Sequence, residues 1–268
     1  SDPLGMLGSR LEVAVHLVTG NITRRKTLLT CINRAGIEVI ELIFEPLATA
    51  EAVLTHDERE LGALLLDIGS GTTEYAVFGD GEVQHSAVLP VGAGHFTNDL
   101  AMVLRTPFAE AEQIKVKHGC CLTGMVGEEE GISVPTVAGG PARVVPKKEL
   151  CGILQPRAEE MLTLVREDLA KYGFDEALRG GLVLTGGGAQ LDGYLELAEQ
   201  VFNCTVRYGL PQGLGGLVDV ISSPTWTAAS GLLLYGRSSE DRHRKTVNTG
   251  FSVRGVVTSL RGMFSDLL

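Results

Sequence analysis

Residues 64–78, LLLDIGSGTTEYAVF, combine an apolar run with a carboxylate, two glycines and two hydroxyl side chains at a turn. Asp67 ends the apolar run, Gly69 and Gly71 follow, and Thr72 comes next. Glycines let a phosphate chain approach backbone N–H groups, hydroxyl groups add donors, and a carboxylate at a strand end can hold Mg²⁺ through water. The same residues also suit a tight hairpin, so this motif alone leaves both interpretations open.

A second glycine run and a charged pair extend the candidate site. Gly186, Gly187 and Gly188 stand between a predicted strand and a predicted helix, where backbone can lie against a flat base or a ribose. A plain strand-to-helix turn needs fewer than three consecutive glycines. Glu112 and Lys115 are three residues apart on a predicted helix, so they face one way and could bracket a ribose or form a surface ion pair.

Composition excludes several classes of protein. The chain has 268 residues, 44% hydrophobic and 21% charged, and its formal net charge of −10 argues against binding nucleic acid. The five cysteines show no CxxC spacing, which favours free thiols over a zinc site or a disulfide framework. The opening residues read as the middle of a domain, so we expect an N-terminal part to be missing.

Hydrophobic alternation predicts strands at residues 62–68, 73–79 and 82–89, the last two joined at Gly79-Asp80-Gly81. The same criterion predicts a strand at 13–17 and a β-rich stretch at 37–46. Residues 55–61 are predicted to form a charged loop, and two short strands are expected between 131 and 149. Helices are predicted over 24–35, 47–54, 97–103, 108–117, 152–173 and from Pro224 onward.

The C-terminal residues form one apolar helical face after a polar stretch at 237–252 that predicts a flexible linker. The apolar positions are Val253, Val256, Val257, Leu260, Met263, Phe264, Leu267 and Leu268. Arg261 lies on the other face, as an interfacial helix requires. The pattern favours an amphipathic membrane-targeting helix at 253–268, and packing against the chain's own domain is the alternative.

Five motifs, taken in order, resemble the actin-like ATPase superfamily: FEPLATAEAV, LLDIGSGTTEYAVF, AEQIKVKHG, LTGGGAQLDGY and SPTWTAASGLLLYG. Within that superfamily the whole chain resembles the FtsA family of bacterial cell-division proteins. The resemblance implies an α/β, actin-like (ribonuclease H-like) ATPase fold. Residues 1–46 would be a remnant of the first domain with the end of the FtsA-specific subdomain, and 47–236 the second domain, with an inserted subdomain at about 97–180.

The resemblance also implies roles for single residues toward ATP and Mg²⁺. Asp67 would hold Mg²⁺ through water, and Glu45 would orient the attacking water. Glu112 and Lys115 would contact the ribose or base. Phosphate contacts would come from Gly69, Ser70, Gly71, Thr72 and Thr73, and adenosine contacts from Gly186, Gly187 and Gly188. The sequence departs from the family pattern at Ser70, where glycine is usual, and at Glu74, where aspartate is usual.

Superfamily members clamp phosphate between two hairpins, and no other Asp-x-Gly-Ser/Thr motif precedes residue 64 here. We therefore expect this chain to carry half of the clamp. Such a chain would bind ATP weakly and be at most a weak ATPase.

The implied function is to tether the tubulin-like FtsZ ring to the cytoplasmic face of the inner cell membrane at the division site. The protein would be peripheral on membrane lipids, would self-associate into filaments, and would recruit other division proteins to the septum during the cell cycle. Residues 97–180 would receive the FtsZ tail. Two alternatives share the fold: an FtsA-like pilus-assembly adaptor, and a sugar or acid kinase, for which no catalytic base stands out.

Overall fold

The structure, a computed structural model, describes residues 7–248 except 11, 14, 128, 129, 138, 175–177 and 217. The strands are β1 Ala63–Ile68, β2 Thr73–Gly79, β3 Glu82–Leu89, β4 Gly131–Val134, β5 Arg143–Pro146, β6 Leu182–Thr185 and β7 Val206–Tyr208. The helices are α1 Ile22–Arg34, α2 Glu45–Val53, α3 His56–Leu61, α4 Ala93–Leu104, α5 Phe108–His118, α6 Lys147–Lys171, α7 Tyr194–Phe202, α8 Val218–Ile221 and α9 Thr227–Asn248. Short 3₁₀ turns span Thr123–Met125, Gly187–Gln190 and Pro224–Trp226.

A five-stranded sheet with the order β3-β2-β1-β6-β7 forms the centre of the molecule. Strand β1 pairs antiparallel with β2 and parallel with β6. Leu64 and Leu66 point into one hydrophobic core and Leu65 into a second core on the opposite face. A strand buried on both faces requires a continuous apolar run, which β1 has. The predicted strands β1, β2 and β3 are confirmed.

Helices cover both faces of this sheet. The larger core lies under α4, α5, α6 and α7, and the smaller core lies under α2 and α9. Helices α2 and α9 pack closely together, so the segments around Pro46 and Pro224 lie in one layer. The predicted helices are confirmed, with ends that shift by up to a few residues.

A smaller unit of α4, α5, α6 and the β4–β5 hairpin stands beside the sheet. Arg157 on α6 donates two hydrogen bonds to Asp99 on α4, at 2.7 and 3.1 Å. Ile132, Val134 and Val145 of the hairpin contribute to the larger core. The prediction of two short strands between 131 and 149 is therefore confirmed.

Helix α6 joins this smaller unit to the sheet. Its first turns contact β5, its middle is paired to α4, and near its end the Tyr75 hydroxyl of β2 donates to the Asp168 carboxylate. The buried stripe along the helix comprises Leu150, Cys151, Leu154, Ala158, Met161, Leu162, Val165 and Leu169. These residues recur at helical spacing and fix which face of α6 meets the core.

The prediction of a charged loop at residues 55–61 is wrong. Helix α3 forms there because the Thr55 hydroxyl accepts a hydrogen bond from the Glu58 N–H at 3.3 Å and the Glu58 carboxylate accepts one from the Thr55 N–H at 2.8 Å. This reciprocal pair is a capping box. Arg207 on β7 donates to the same carboxylate at 2.5 and 2.6 Å, which attaches α3 to the edge of the sheet.

The predicted strand at 13–17 and the β-rich stretch at 37–46 are also wrong where the structure describes them. Residues 12–13, 15–20 and 37–44 carry no strand, and α2 begins at Glu45. Ile40 is 97% exposed. A strand needs a neighbouring strand for its backbone hydrogen bonds, and in the described part of the chain neither sheet includes these stretches.

The predicted linker is wrong over residues 237–248, where α9 continues to Asn248. The stretch is polar but holds no glycine or proline, and its arginine, glutamate and lysine residues favour a helix. The rest of the predicted linker and the predicted helix at 253–268 lie outside the described residues. None of the helices described is long and apolar enough to cross a bilayer.

Candidate functional site

The site begins at the turn between β1 and β2. The Gly69 N–H donates to the Thr72 carbonyl at 2.9 Å and closes the turn. Thr73 is buried, and its hydroxyl donates to the Val91 carbonyl at 2.7 Å. Ser70 is exposed at the tip and lines a cavity. Two of the predicted phosphate contacts therefore differ in their surroundings. Thr73 is buried and anchors the turn, whereas Ser70 is exposed and faces the cavity.

The turn rests on the first residues of α4. The Ala93 N–H donates to the Gly69 carbonyl at 2.9 Å, and the Gly94 N–H donates to the Ser70 carbonyl at 2.7 Å. A Cβ at Gly92 would lie 2.7 Å from the Gly69 carbonyl oxygen, so only glycine permits this contact. Sequence reasoning missed Gly92 and Gly94, although a Gly-x-Gly directly before a helical pattern was a signal for a close approach.

The second glycine run meets the first turn. Gly186 has φ +88°, and a Cβ there would lie 2.4 Å from the Asp67 Oδ1 atom and 2.5 Å from the Ile68 carbonyl oxygen. The parallel register places Asp67 beside Thr185, so both loops leave the same edge of the sheet. The two glycine tips converge, as the sequence predicted.

A cavity of about 480 Å³ opens between these tips and α5. Its walls include the predicted residues Ser70, Glu112, Lys115, Gly187 and Gly188. They also include Ala93, Gln190, Asp192 and Thr225, which sequence reasoning did not select. Gly69, Gly71, Thr72 and Gly186 shape the loops without lining the cavity itself, whose size suits a small organic ligand.

Glu112 and Lys115 form an ion pair at one wall of the cavity, with 2.8 Å between Glu112 Oε2 and Lys115 Nζ. Lys115 is 7% exposed and also donates to the Thr97 hydroxyl at 2.9 Å and to the Ala93 carbonyl at 3.2 Å. The Thr97 hydroxyl donates to the Glu112 carboxylate. Burial raises the pKa of Glu112, but the hydrogen bonds from Lys115 and Thr97 outweigh it and hold that pKa below its usual value.

Three carboxylates gather behind the first turn. Burial, together with the neighbouring Glu45 and Glu74, raises the pKa of Asp67 to about 7, although the Thr49 hydroxyl donates to it at 3.5 Å. Burial and Glu45 likewise raise the pKa of Glu74 to about 7, and the buried Glu74 Oε2 atom has no hydrogen-bond partner. Such a concentration of negative charge suits a nearby cation.

These carboxylates do not form a direct metal cage. Within the residues described, no three His, Cys, Asp or Glu side chains converge on one position that could hold a metal ion. A cation beside Asp67 would therefore need water among its ligands, as Mg²⁺ commonly has. Glu74 joins Asp67 and Glu45 in this cluster, and its departure from the usual family residue was the sequence signal that marked it.

The glycine run is also attached to the start of α9. The Gln190 side-chain amide donates to the Thr225 hydroxyl at 2.8 Å, and the Ser223 hydroxyl donates to the Gln190 side-chain oxygen at 3.1 Å. Deeper in the protein, the hydroxyls of Thr185 and Thr227 are 3.0 Å apart. These bonds hold the 222–227 segment against the rim of the cavity.

We expect Gly186→Ala to lower the free energy of unfolding by about 3 kcal/mol or more, because its Cβ would overlap Asp67 and β1. Gly71→Ala is the matched control, since a Cβ at Gly71 would meet no atom within 4 Å. Its effect should stay within about 0.5 kcal/mol. Chemical denaturation measures both, and equal losses would show that the loops do not meet as described.

We also expect stability to fall as pH rises from about 4 to about 7. The folded protein keeps a proton on Asp67 up to about pH 7, whereas the unfolded chain releases it near its ordinary pKa of 3.8, so the folded state binds more protons in between. Asp67→Asn should raise the free energy of unfolding by on the order of 2 kcal/mol at pH 8 and by less than half of that at pH 5.

Thermal melts of wild type and Asp67→Asn at the two pH values, without divalent cations, measure this difference. Asp57→Asn, an exposed change on α3, is the control. If wild type has a higher melting temperature than Asp67→Asn at pH 8, the expected cost of ionising the buried Asp67 is wrong.

Comparison with known proteins places this geometry in a family. The model of the family "Cell division protein FtsA" matches residues 64–231. Cell division protein FtsA of Pseudomonas aeruginosa is 43% identical over 235 residues, which are 88% of this chain and 56% of that protein. The Escherichia coli K12 protein is 38% identical over 276 residues, 98% of this chain and 66% of that protein. The chain thus spans 56 to 66% of the length of these two relatives.

Solved structures share the fold at lower identity. MreB5 of Spiroplasma citri bound to ADP matches with a TM-score of 0.67 and 18% identity, over 84% of this chain and 68% of that one. A PilM–PilN type IV pilus biogenesis complex matches with a TM-score of 0.61 and 18% identity, over 79% and 57%. The chain has the actin-like ATPase fold. Because the family model matches more than half of the chain, including both glycine tips, the chain belongs to the FtsA family of cell division proteins.

Proposed function

We propose that the cavity binds an adenine nucleotide with Mg²⁺. The observation that carries this proposal is the convergence of the two glycine tips on one cavity of about 480 Å³, bordered by an ion pair on α5. MreB5, which has the same fold, was solved with ADP and with AMPPNP.

The chain's residues fit such a ligand. Gly69 closes the turn with its own N–H. The rest of the turn, Ser70, Gly71 and Thr72, would present backbone N–H and hydroxyl donors to the phosphates. Glu112 borders the cavity and would accept a hydrogen bond from a ribose hydroxyl. Gly187 and Gly188 line the cavity and would lie against the adenosine, where the absence of side chains permits close approach. Gly186 would support them from behind, against Asp67 and Ile68.

The carboxylates would hold the cation and orient a water molecule. Asp67 would hold Mg²⁺ through water, and binding of the cation would favour the charged form of Asp67 that burial disfavours. Glu45 begins α2 and is near enough to raise the pKa of Asp67, so it would orient a water molecule beside Asp67. Hydrolysis would be slow, and the nucleotide would act mainly as a conformational ligand.

Calorimetric titration with Mg²⁺-ATP tests this site. We expect saturable but weak binding to one site, with a dissociation constant between about 0.1 and 1 mM, because one phosphate turn supplies the donors. Micromolar affinity would contradict the expectation that the chain carries half of the clamp. GTP should bind more weakly if the glycine run meets adenosine. A lack of saturable heat at about 5 mM Mg²⁺-ATP would contradict the proposed function.

We further propose the division role implied by the family. The protein would tether the FtsZ ring to the cytoplasmic face of the inner membrane, self-associate into filaments and recruit other division proteins. Residues 97–180 would receive the FtsZ tail. Family membership supports this role over the pilus-assembly and kinase alternatives, because the relatives are cell division proteins. Capture of the chain by a C-terminal FtsZ peptide tests the partner.

The membrane contact is expected at residues 253–268. Leu260→Glu and Phe264→Glu together place two charges on the apolar face, so the protein should no longer float with liposomes of anionic phospholipid. Ser259→Glu, a change outside the apolar set, is the control and should reduce flotation less. If the double variant floats as well as wild type, another segment makes the contact.

A further inference from the structure

We propose that Lys115 is a positioning residue that holds the start of α4 beneath the phosphate turn, and so links the ribose side of the cavity to its phosphate side. This inference rests on the proposed nucleotide site. It assigns Lys115 a task other than contact with the ribose or base.

The ammonium group of Lys115 is already engaged by the protein. It donates to Ala93 O, Thr97 Oγ1 and Glu112 Oε2 at 3.2, 2.9 and 2.8 Å. An ammonium has three N–H groups, so these three acceptors use its full donor capacity. Lys115 is buried and would have to give up one of these bonds to donate to a ligand.

Ala93 is the residue through which Lys115 reaches the phosphate turn. Its carbonyl accepts from Lys115, and its N–H donates to the Gly69 carbonyl at 2.9 Å. The next N–H, from Gly94, donates to the Ser70 carbonyl at 2.7 Å. A shift of Ala93 would therefore move the two peptide groups that begin the turn.

The opposite end of the network is Glu112. Its carboxylate accepts from Lys115 and from Thr97, and it also borders the cavity. A ribose hydroxyl that donates to Glu112 would compete with these donors, so occupation of the ribose side would alter the support of the phosphate side. Lys115 is buried and uses every donor, so its ammonium has few alternative arrangements, which makes such coupling direct.

Separate probes distinguish this task from a ribose contact. Mg²⁺-tripolyphosphate has no ribose, and adenosine has no phosphate. We expect Lys115→Met to weaken tripolyphosphate binding about tenfold, the change that loss of one charged hydrogen bond brings. Calorimetry measures the affinity, and the amide NMR signals of Gly69, Ser70 and Gly71 should shift in the unliganded variant.

Matched variants separate position from charge. Lys26→Met removes the same charge from α1, where Lys26 is exposed and lies outside the lining of the cavity. It should weaken tripolyphosphate binding less than about threefold. Thr97→Val keeps all charges and nearly the same volume while removing the hydroxyl that holds the ammonium. It should weaken tripolyphosphate binding by about threefold, and Lys115→Arg should recover part of the loss seen with Met.

The outcomes decide between the two claims. Wild-type protein that binds neither Mg²⁺-ATP nor tripolyphosphate would overturn the proposed function. If wild type binds both, and Lys115→Met and Thr97→Val reduce only adenosine binding, the positioning task is wrong and the proposed site stands. Equal losses with Lys26→Met and Lys115→Met would also overturn it. Thr97→Val keeps the test valid if Lys115→Met does not fold.

Discussion

The parallel pairing of β1 with β6 is the constraint on which the site depends. Parallel neighbours end at the same edge of a sheet, so the loops that follow Ile68 and Thr185 must emerge side by side. Ligands of open α/β sheets bind at such carboxyl ends. The apolar run of β1 and the short β6 therefore determine where the chemistry lies before any polar residue is considered.

Packing then decides how closely the two loops approach. The residues at the contact are glycines because larger side chains would overlap Asp67 or the Gly69 carbonyl. Helix α4 supports the first turn with its N–H groups, and Lys115 fastens the start of that helix to α5. The cavity is thus bounded by backbone on one side and by the ion pair of buried Lys115 with half-exposed Glu112 on the other.

The sequence predicted what local patterns determine. Strands β1, β2 and β3 followed from alternation and from the Gly79-Asp80-Gly81 turn, and the convergence of the glycine tips followed from the resemblance. The predictions from sequence were wrong or incomplete where the structure depends on contacts with residues far away in the chain. Val13 and Leu17 alternate like a strand but have no neighbouring strand in the described chain. The carboxylate cluster and the use of Lys115 as an anchor depend on residues far apart in the chain, which no local pattern reveals.

Helix α6 gives the molecule a mechanical property. A helix of 25 residues is about 37 Å long. It is hydrogen-bonded to α4 through Arg157 and to β2 through Asp168, so it connects the rest of the smaller unit to the sheet. Because one helix holds both contacts, the position of the β4–β5 hairpin relative to β2, the strand that follows the Gly69 turn, depends on a single rigid element.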